Sequence, residues 1–384
     1  MKFVGLVLKS ARRSKRRTVL TVLSVAIAVF LFASLRAVLD GFNAATEASS
    51  STRVITIRST SMIFNMPTSH VDAIKTVAGV QDVTWANWFG GIYKDPKNFF
   101  ANIAIDPESY LRMYPEVVLS PEEKTAFLED RTGCIVGSGL IKRFDWHVGD
   151  KIVLKPGIPY YGTQDYPFTI RGIYKSTASN VDDQTMFFHW KYVDERGAVH
   201  GQVGWVVSLL NNPDAATRVS QEIDNKFANS PNETKTDTEK QFQASFASML
   251  GNLNLLLGSV ALAVVITTLF VAGNTMAMSV RERTTEIAVM RTLGFQAVTI
   301  FMLVVGEGIA VSIVGGALGA FIARLIVNGE FLQAAGGFIP QFGVNNWNAV
   351  TGVGLGAVIG LLAALIPATM ASKLKIVDAL RRVA

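Results

Sequence analysis

Four long apolar runs dominate the pattern of the chain: Thr18–Leu39, Met249–Val280, Val298–Val327 and Ala349–Met370. A helix needs about 20 apolar residues to cross a hydrocarbon core, so each run predicts a transmembrane helix. The intervals are residues 1–17, 40–248, 281–297, 328–348 and 371–384. A cleaved signal peptide shares the basic start and apolar run. The first run is long for one and lacks a clean small-x-small site before the polar sequence resumes, so it is read as a retained helix.

The interval 40–248 has the mixed pattern of a folded domain. Strand-like runs recur at Arg53–Ser59, Val83–Ala86, Ala101–Ile105, Lys151–Leu154, Phe168–Tyr174 and Val203–Leu209. Helical spacing appears at Thr68–Val77 and Asn212–Phe227. Interspersed strands and helices predict an α+β domain. Residues 137–195 read as a compact β-rich insertion, and Asn229–Lys240, polar and turn-rich, as a linker back to the second span. The fold class expected is therefore an α-helical membrane protein: four transmembrane helices, with a large α+β extracytoplasmic domain between helices 1 and 2.

Charge sorts by compartment. Asp40–Ser248 carries 20 Lys/Arg against 25 Asp/Glu, and the rest of the chain 16 against 5. The basic residues flank apolar runs and form no stripe interleaved with aromatics, so nucleic acid is not the expected partner. Lys9, Arg12, Arg13, Lys15, Arg16 and Arg17 precede the first span; Arg281, Arg283 and Arg291 lie between the second and third. Lys373, Lys375, Arg381 and Arg382 follow the fourth, and the connection from Asn328 to Asn348 has no Lys or Arg. By the positive-inside pattern, both termini and residues 281–297 are cytoplasmic, and residues 40–248 face outward. The localisation expected is multi-pass in a bacterial inner (plasma) membrane, with the large domain periplasmic.

The sequence offers little catalytic chemistry. The lone cysteine, Cys134, excludes an intramolecular disulfide and a cysteine-based zinc site. His70, His147, His189 and His200 lack metal-ligand spacing. Ser138 stands between glycines without the G-x-S-x-G spacing of a nucleophile elbow. Asp182 and Asp183, if on a strand, would point to opposite faces. No G-x-x-x-x-G-K-[ST] phosphate loop occurs. No catalytic, metal or cofactor site is expected, and ATP hydrolysis, if used, belongs to another subunit.

The connection between the second and third spans is the most specific segment. It reads Arg281-Glu-Arg-Thr-Thr-Glu-Ile-Ala-Val-Met-Arg-Thr-Leu-Gly-Phe295. Ile287, Met290 and Leu293 share a helical stripe, and Gly294 is a suitable stop. Pattern alone fits both a helix lying on lipid and a helix docking a cytosolic partner. This stretch resembles the signature R-x-R-x-x-E-I-x-x-x-R-x-x-G of FtsX/MacB-like ABC transporter permeases. Other stretches agree: the entry Leu8–Leu23, with its Arg cluster and Thr18–Leu23, Gly306-Glu307 with Gly315, Gly316 and Gly319, Ile366-Pro367-Ala368, and Val377-Asp-Ala-Leu-Arg381. The outer piece Val136–Tyr174 is also similar. Ile376 stands where the family usually has Pro, and Ala288 where Gly is frequent.

The resemblance implies a permease of the mechanotransmission type, in which ATP-driven motion of a stalk moves the outer domain. Arg283, Glu286, Ile287, Met290, Arg291, Leu293 and Gly294 would form the ATPase-coupling helix. The implied partners are two copies of a cytosolic ABC ATPase subunit, a second permease (identical or related), membrane lipid and, in efflux systems, a periplasmic adaptor. The size of the outer domain favours efflux or lipoprotein release over regulation of cell-wall hydrolases. A membrane-anchored receptor or sensor would need an inner output domain, for which the inner segments are too short. An intramembrane or periplasmic enzyme would need a catalytic cluster.

Within the spans, Glu307 lies ~14 Å into the third at 1.5 Å per residue. Such a residue is a functional candidate by default; a structural role is expected instead if it bonds a neighbour such as Asn274 at similar depth. Arg36 and Arg324 can snorkel. Gly315/Gly319 and Gly352/Gly356/Gly360 form small-residue faces that should pack the third and fourth spans together.

Overall fold

The computed structural model describes residues 15–61, 63–177, 181, 183–249, 252–328 and 343–374. Lys9, Arg12, Arg13, Asp182, the closing stretch from Lys375 to Arg382, and most of the connection from Asn328 to Asn348 lie outside them. The chain divides into two compact units. The described residues within 15–40, 252–328 and 343–374 form one, and those within 41–249 the other. Helix α1 (Lys15–Ala48) opens the described chain. Its 34 residues make it ~51 Å long, well beyond the ~30 Å of a hydrocarbon core.

The second unit is an α+β domain on a ten-stranded mixed sheet, with a separate two-stranded sheet beside it. In chain order its elements are β1 (Arg53–Arg58), β2 (Met66–Pro67), α2 (Ser69–Lys75), β3 (Val80–Trp88), β4 (Ala101–Ile105), α3 (Pro107–Met113), β5 (Val117–Val118), α4 (Pro121–Glu129), β6 (Gly133–Gly137) and α5 (Ser138–Phe144). There follow β7 (Lys151–Leu154), β8 (Tyr166–Ser176), β9 (Thr185–His189), α6 (Trp190–Arg196), β10 (Gln202–Val203), β11 (Trp205–Leu210), α7 (Ala216–Phe227), β12 (Thr234–Thr238) and α8 (Glu239–Met249). The sheet order is β12-β1-β11-β3-β4-β9-β6-β8-β5, with β7 on β8. Pairing is antiparallel except for β4 with β9 and β6 with β8.

Sequence pattern accounts for these elements locally. Along β8, Tyr166, Phe168, Ile170 and Tyr174 are buried, while Pro167 and Lys175 are exposed, the period-two alternation of a strand. Helix α4 starts at a capping box: Ser120 accepts from the Glu123 amide and Glu123 accepts from the Ser120 amide. Asp106 caps α3, with Pro107 at the first turn where no amide is needed. One hydrophobic cluster gathers Val54, Ile74, Val206, Val219 and Ile223 under α2 and α7. Another sets Tyr110, Leu111 and Phe127 of α3 and α4 against Ile135, Phe187 and Val207 of the sheet. A third centres on Phe89, Tyr166, Phe168 and Phe188.

Two sequence expectations are corrected here. Residues 137–195 are no separate insertion, because β8 and β9 pair with β6 and β4 inside the main sheet. Asn229–Lys240 is no linker: it holds β12 and the start of α8. The segment Thr-Lys-Thr-Asp-Thr is polar because β12 is an edge strand. Its threonines suit a strand, and Thr236 bonds Thr56 and Asp224.

The first unit brings α1 together with α9 (Leu253–Glu282), the short α10 (Thr284–Thr292), α11 (Ala297–Val327) and α12 (Asn346–Ser372). Helices α1, α9, α11 and α12 are each long and apolar enough to cross a membrane. Glycines set their spacing. A Cβ on Gly360 would fall 2.6 Å from the Gly308 carbonyl oxygen, and one on Gly356 2.8 Å from that of Ser312, so α11 and α12 touch backbone to backbone. Gly315 and Gly319 do not join this seam, contrary to expectation. A Cβ on Gly315 would meet the Val22 carbonyl at 2.8 Å, and Gly319 lies against Ala26, so both face α1. One residue on a helix is a 100° turn, which separates Gly315 and Gly319 from the α12-facing row of Gly308, Ser312 and Gly316.

Candidate functional site

At the end of the first unit where α9, α10 and α11 follow one another, polar side chains concentrate around the joints. Helix α9 stops at Arg283, whose φ of −104° and ψ of 13° leave the helical region. The Thr284 hydroxyl donates to the Arg281 carbonyl at 2.7 Å, competing with the helix for that acceptor. Helix α10 then closes on Gly294. The Phe295 amide donates to the Met290 carbonyl at 3.1 Å and the Gly294 amide to that of Arg291 at 3.2 Å. This is the Schellman pattern, and the Gly294 φ of +90° explains why glycine stands there.

Helix α10 has two faces. Ile287, 4% exposed, and Ala288 are buried; Ile287 packs with Val280, Ile300 and Ala371, and Met290 is partly buried against them. On the other side Glu286, Val289 and Leu293 form an exposed row at helical spacing, with Leu293 73% exposed. The expected apolar stripe of Ile287, Met290 and Leu293 is therefore split. Ile287 is used up inside the chain, Met290 largely so, and Leu293 remains outside.

Charged pairs fasten this joint to its neighbours. Arg283 Nη1 donates to Glu307 Oε2 at 2.7 Å, linking the α9–α10 turn to α11. Arg17 of α1 donates to Glu282 Oε2 at 2.5 Å and to Ser279 Oγ at 2.8 Å. Together α1, α9, α10 and α11 enclose a cavity of about 250 Å³, with Arg17, Thr21, Ser279, Arg283, Glu286 and Glu307 in its wall. Arg291 is half-buried in the last turn of α10, where a cation suits the helix terminus.

The structure brings Arg283, Glu286 and Glu307 together but leaves Asn274 out. Asn274 is exposed, and Glu307 takes Arg283 as partner instead. Depth along the helix suggested Asn274; direction around the helix, and the reach of an arginine from a helix joint, decide for Arg283. Reading the sequence also missed Arg17, Glu282 and Val289. The spacing of Val289 from Glu286 and Leu293, three and four residues, is the signal that could have found it.

Outside this region, titratable groups serve structure. His189 Nε2 donates to the Phe127 carbonyl at 2.7 Å and His70 Nε2 to that of Asn232 at 3.1 Å. Ser138 donates to Asp183 at 3.2 Å. Burial pushes the Cys134 thiol up, out of the reactive range. Among the described residues no group of three or more His, Cys, Asp or Glu stands close enough to hold a metal.

Two family models match the chain. Residues 18–226 match the MacB-like periplasmic core domain, and residues 258–376 the FtsX-like permease C-terminal domain. An uncharacterized ABC transporter permease of Methanocaldococcus jannaschii, MJ1507, is 26% identical over 83% of this chain and 82% of its own length. The macrolide export ATP-binding/permease protein MacB of Psychrobacter arcticus is 25% identical over 53% of this chain and 30% of its own length. That of Shewanella sp. strain ANA-3 is 33% identical over 38% and 22%. The chain thus spans under a third of these MacB relatives. Among solved structures, the periplasmic region of MacB from Actinobacillus actinomycetemcomitans aligns at 10% identity over 52% of this chain and 95% of that one, with a TM-score of 0.38. The extracellular domain of the noncanonic ABC-type transporter YknZ aligns at 11% identity over 48% and 100%, with a TM-score of 0.36. With one family model matched over more than half of the chain and the other over its last three membrane helices, this chain belongs to the MacB/FtsX-like ABC transporter permeases.

Proposed function

We propose that this chain is the permease subunit of an ABC transporter that passes work from a separate cytosolic ATPase to its extracytoplasmic domain. The observation that carries the reading is the two-faced helix α10. One face is fastened to the membrane helices through Ile287, Ala288 and the Arg283–Glu307 pair. The other presents Glu286, Val289 and Leu293. A helix so built can receive a push from a partner and hand it to α9 and α11. Glu286 and Arg291 fix the orientation of the docked ATPase, and Gly294 sets where the helix stops.

Orientation follows from charge. Lys15, Arg16 and Arg17 open α1, Arg281, Arg283 and Arg291 surround α10, and Lys373 follows α12. The Arg17–Glu282 contact sets two of these groups at one end of the bundle, which supports a cytoplasmic placement for that end and for both termini. In the assembly we propose, two permeases act with two ATPases in a bacterial inner membrane. The work drives efflux through a periplasmic adaptor or the release of a lipoprotein or lipid.

Substituting Glu286→Lys tests the docking face. It reverses a charge on the exposed row, beside the Arg283–Glu307 pair, and leaves the buried Ile287 and Ala288 unchanged. The expected outcome is loss of ATPase co-purification and of ATP hydrolysis by the complex, at normal expression of the permease. If α10 instead lies on lipid, the added cation strengthens attraction to anionic headgroups, and co-purification and hydrolysis stay at wild-type levels.

A further inference from the structure

A buried charge cluster sits where the α+β unit receives its two connecting helices. Four residues separate the end of α1 from β1, and β12 runs without a break into α8. Strands β1 and β12 are neighbours, with Val54 opposite Thr238. Both helices therefore join the sheet at the same end of two adjacent strands. Arg53, the first residue of β1, stands at that joint with its side chain only 4% exposed.

Every edge of its guanidinium is used. Nε donates to Glu239 Oε2 at 2.8 Å, Nη1 to the Met113 carbonyl at 2.8 Å and Glu116 Oε2 at 3.3 Å, and Nη2 to Glu116 Oε1 at 2.7 Å. The guanidinium carbon lies 4.2 Å from the centre of the Tyr114 ring. Glu239 is the first residue of α8, and the same Oε2 accepts the Ser50 amide at 3.0 Å, just past the end of α1. One carboxylate thus holds the exit of α1 and the start of α8, and one arginine ties both to the loop after α3. Burial pulls the Arg53 guanidinium down, but Glu116 and Glu239 outweigh it and hold it above its usual range.

We propose that Arg53 is a positioning residue that locks the extracytoplasmic ends of the two connecting helices to each other and to the sheet, so that they deliver motion to the domain as one joint. The proposal rests on the mechanical reading given above. A hydrophobic residue would fill the site with less desolvation cost, but it would have no direction. A planar fork held by two carboxylates and a carbonyl fixes one geometry, which a lysine point charge cannot reproduce.

The test uses the full chain in lipid nanodiscs, with spin labels at Glu47→Cys and Lys240→Cys, both exposed positions on the two helices. Cys134 is buried and stays unlabelled. The lock predicts one narrow distance in the parent protein and its loss in Arg53→Lys and, separately, in Glu239→Gln. Protection of Cys134 from a thiol reagent, measured in the same variants without labels, reports whether the core stays folded, and the lock predicts that it does. A distance as narrow as the parent's in both variants would overturn the proposal. So would exposed Cys134 in both, because the cluster would then hold the fold and not the joint. With the cognate ATPase added, a second pair at Glu47 and Glu129 should keep its distance on ATP and vanadate in the parent and shift in Arg53→Lys; no shift there also counts against the lock. If no ATPase binds, the permease reading fails, and the distance between Glu47 and Lys240 still decides the lock.

Discussion

His70 and His189 are packed where burial disfavours the charged imidazole. His70 stacks on Phe227 at 4.0 Å with its Nδ1 buried and unbonded, and His189 lies under the Phe127 carbonyl. Burial holds both below the usual histidine range, against backbone bonds that act the other way. The unfolded chain therefore binds these protons more readily. The stability they contribute is complete above about pH 6.5 and is lost as the pH falls through the folded values. Thermal unfolding should show a lower Tm at about pH 5.5 than at about pH 7.5, and His189→Gln, which can still donate to Phe127, should flatten that slope. The Arg283–Glu307 pair gives a second residue-scale prediction. Removing one partner takes the ion pair from the other in a half-buried site, so Glu307→Ala should destabilise the protein more than the double variant Arg283→Ala/Glu307→Ala does. A double-mutant cycle on thermal unfolding should return a coupling of about 1–2 kcal/mol.

Among the elements, the α11–α12 seam offers an internal comparison. Gly360 lies against the Gly308 carbonyl, whereas a Cβ on Gly354 would have nothing within 4 Å. Gly360→Val must push two helices apart and should cost about 1–3 kcal/mol, read as a lower Tm and a lower yield of folded protein. Gly354→Val on the same helix should behave as the parent. The membrane helices were legible in the sequence because a run of that length and hydrophobicity has no other stable use. Strand β12 was not, because an edge strand of alternating Thr, Lys and Asp carries no hydrophobic signal; its pairing with β1 supplies the reason to be a strand. Gly315 and Gly319 were recognised as a packing face, but which helix they meet depends on rotation in three dimensions, which spacing along one helix leaves open. The same holds for Glu307, whose depth was readable and whose partner was not. In α10 the stripe was readable, yet burial divides it: Ile287 serves the cluster with Val280 and Ile300, and the outward row runs through Val289 instead.

For the whole molecule, the proposed mechanism joins a docking face on α10, helices that would carry its movement, and an extracytoplasmic sheet that would receive it. Its central claim is that a separate ATPase binds the outward row of α10. Val289 and Leu293 are exposed here and would be covered in the complex. Burying such side chains is worth about 1.5–3 kcal/mol each, and truncation to alanine forfeits much of that. Because neither side chain supports the fold, Val289→Ala/Leu293→Ala should leave expression and Tm unchanged. Affinity for the cognate ATPase, measured on the full-length permease in nanodiscs, should fall about 100-fold, an energy of roughly 3 kcal/mol. Wild-type affinity and ATP turnover in that double variant would contradict the account.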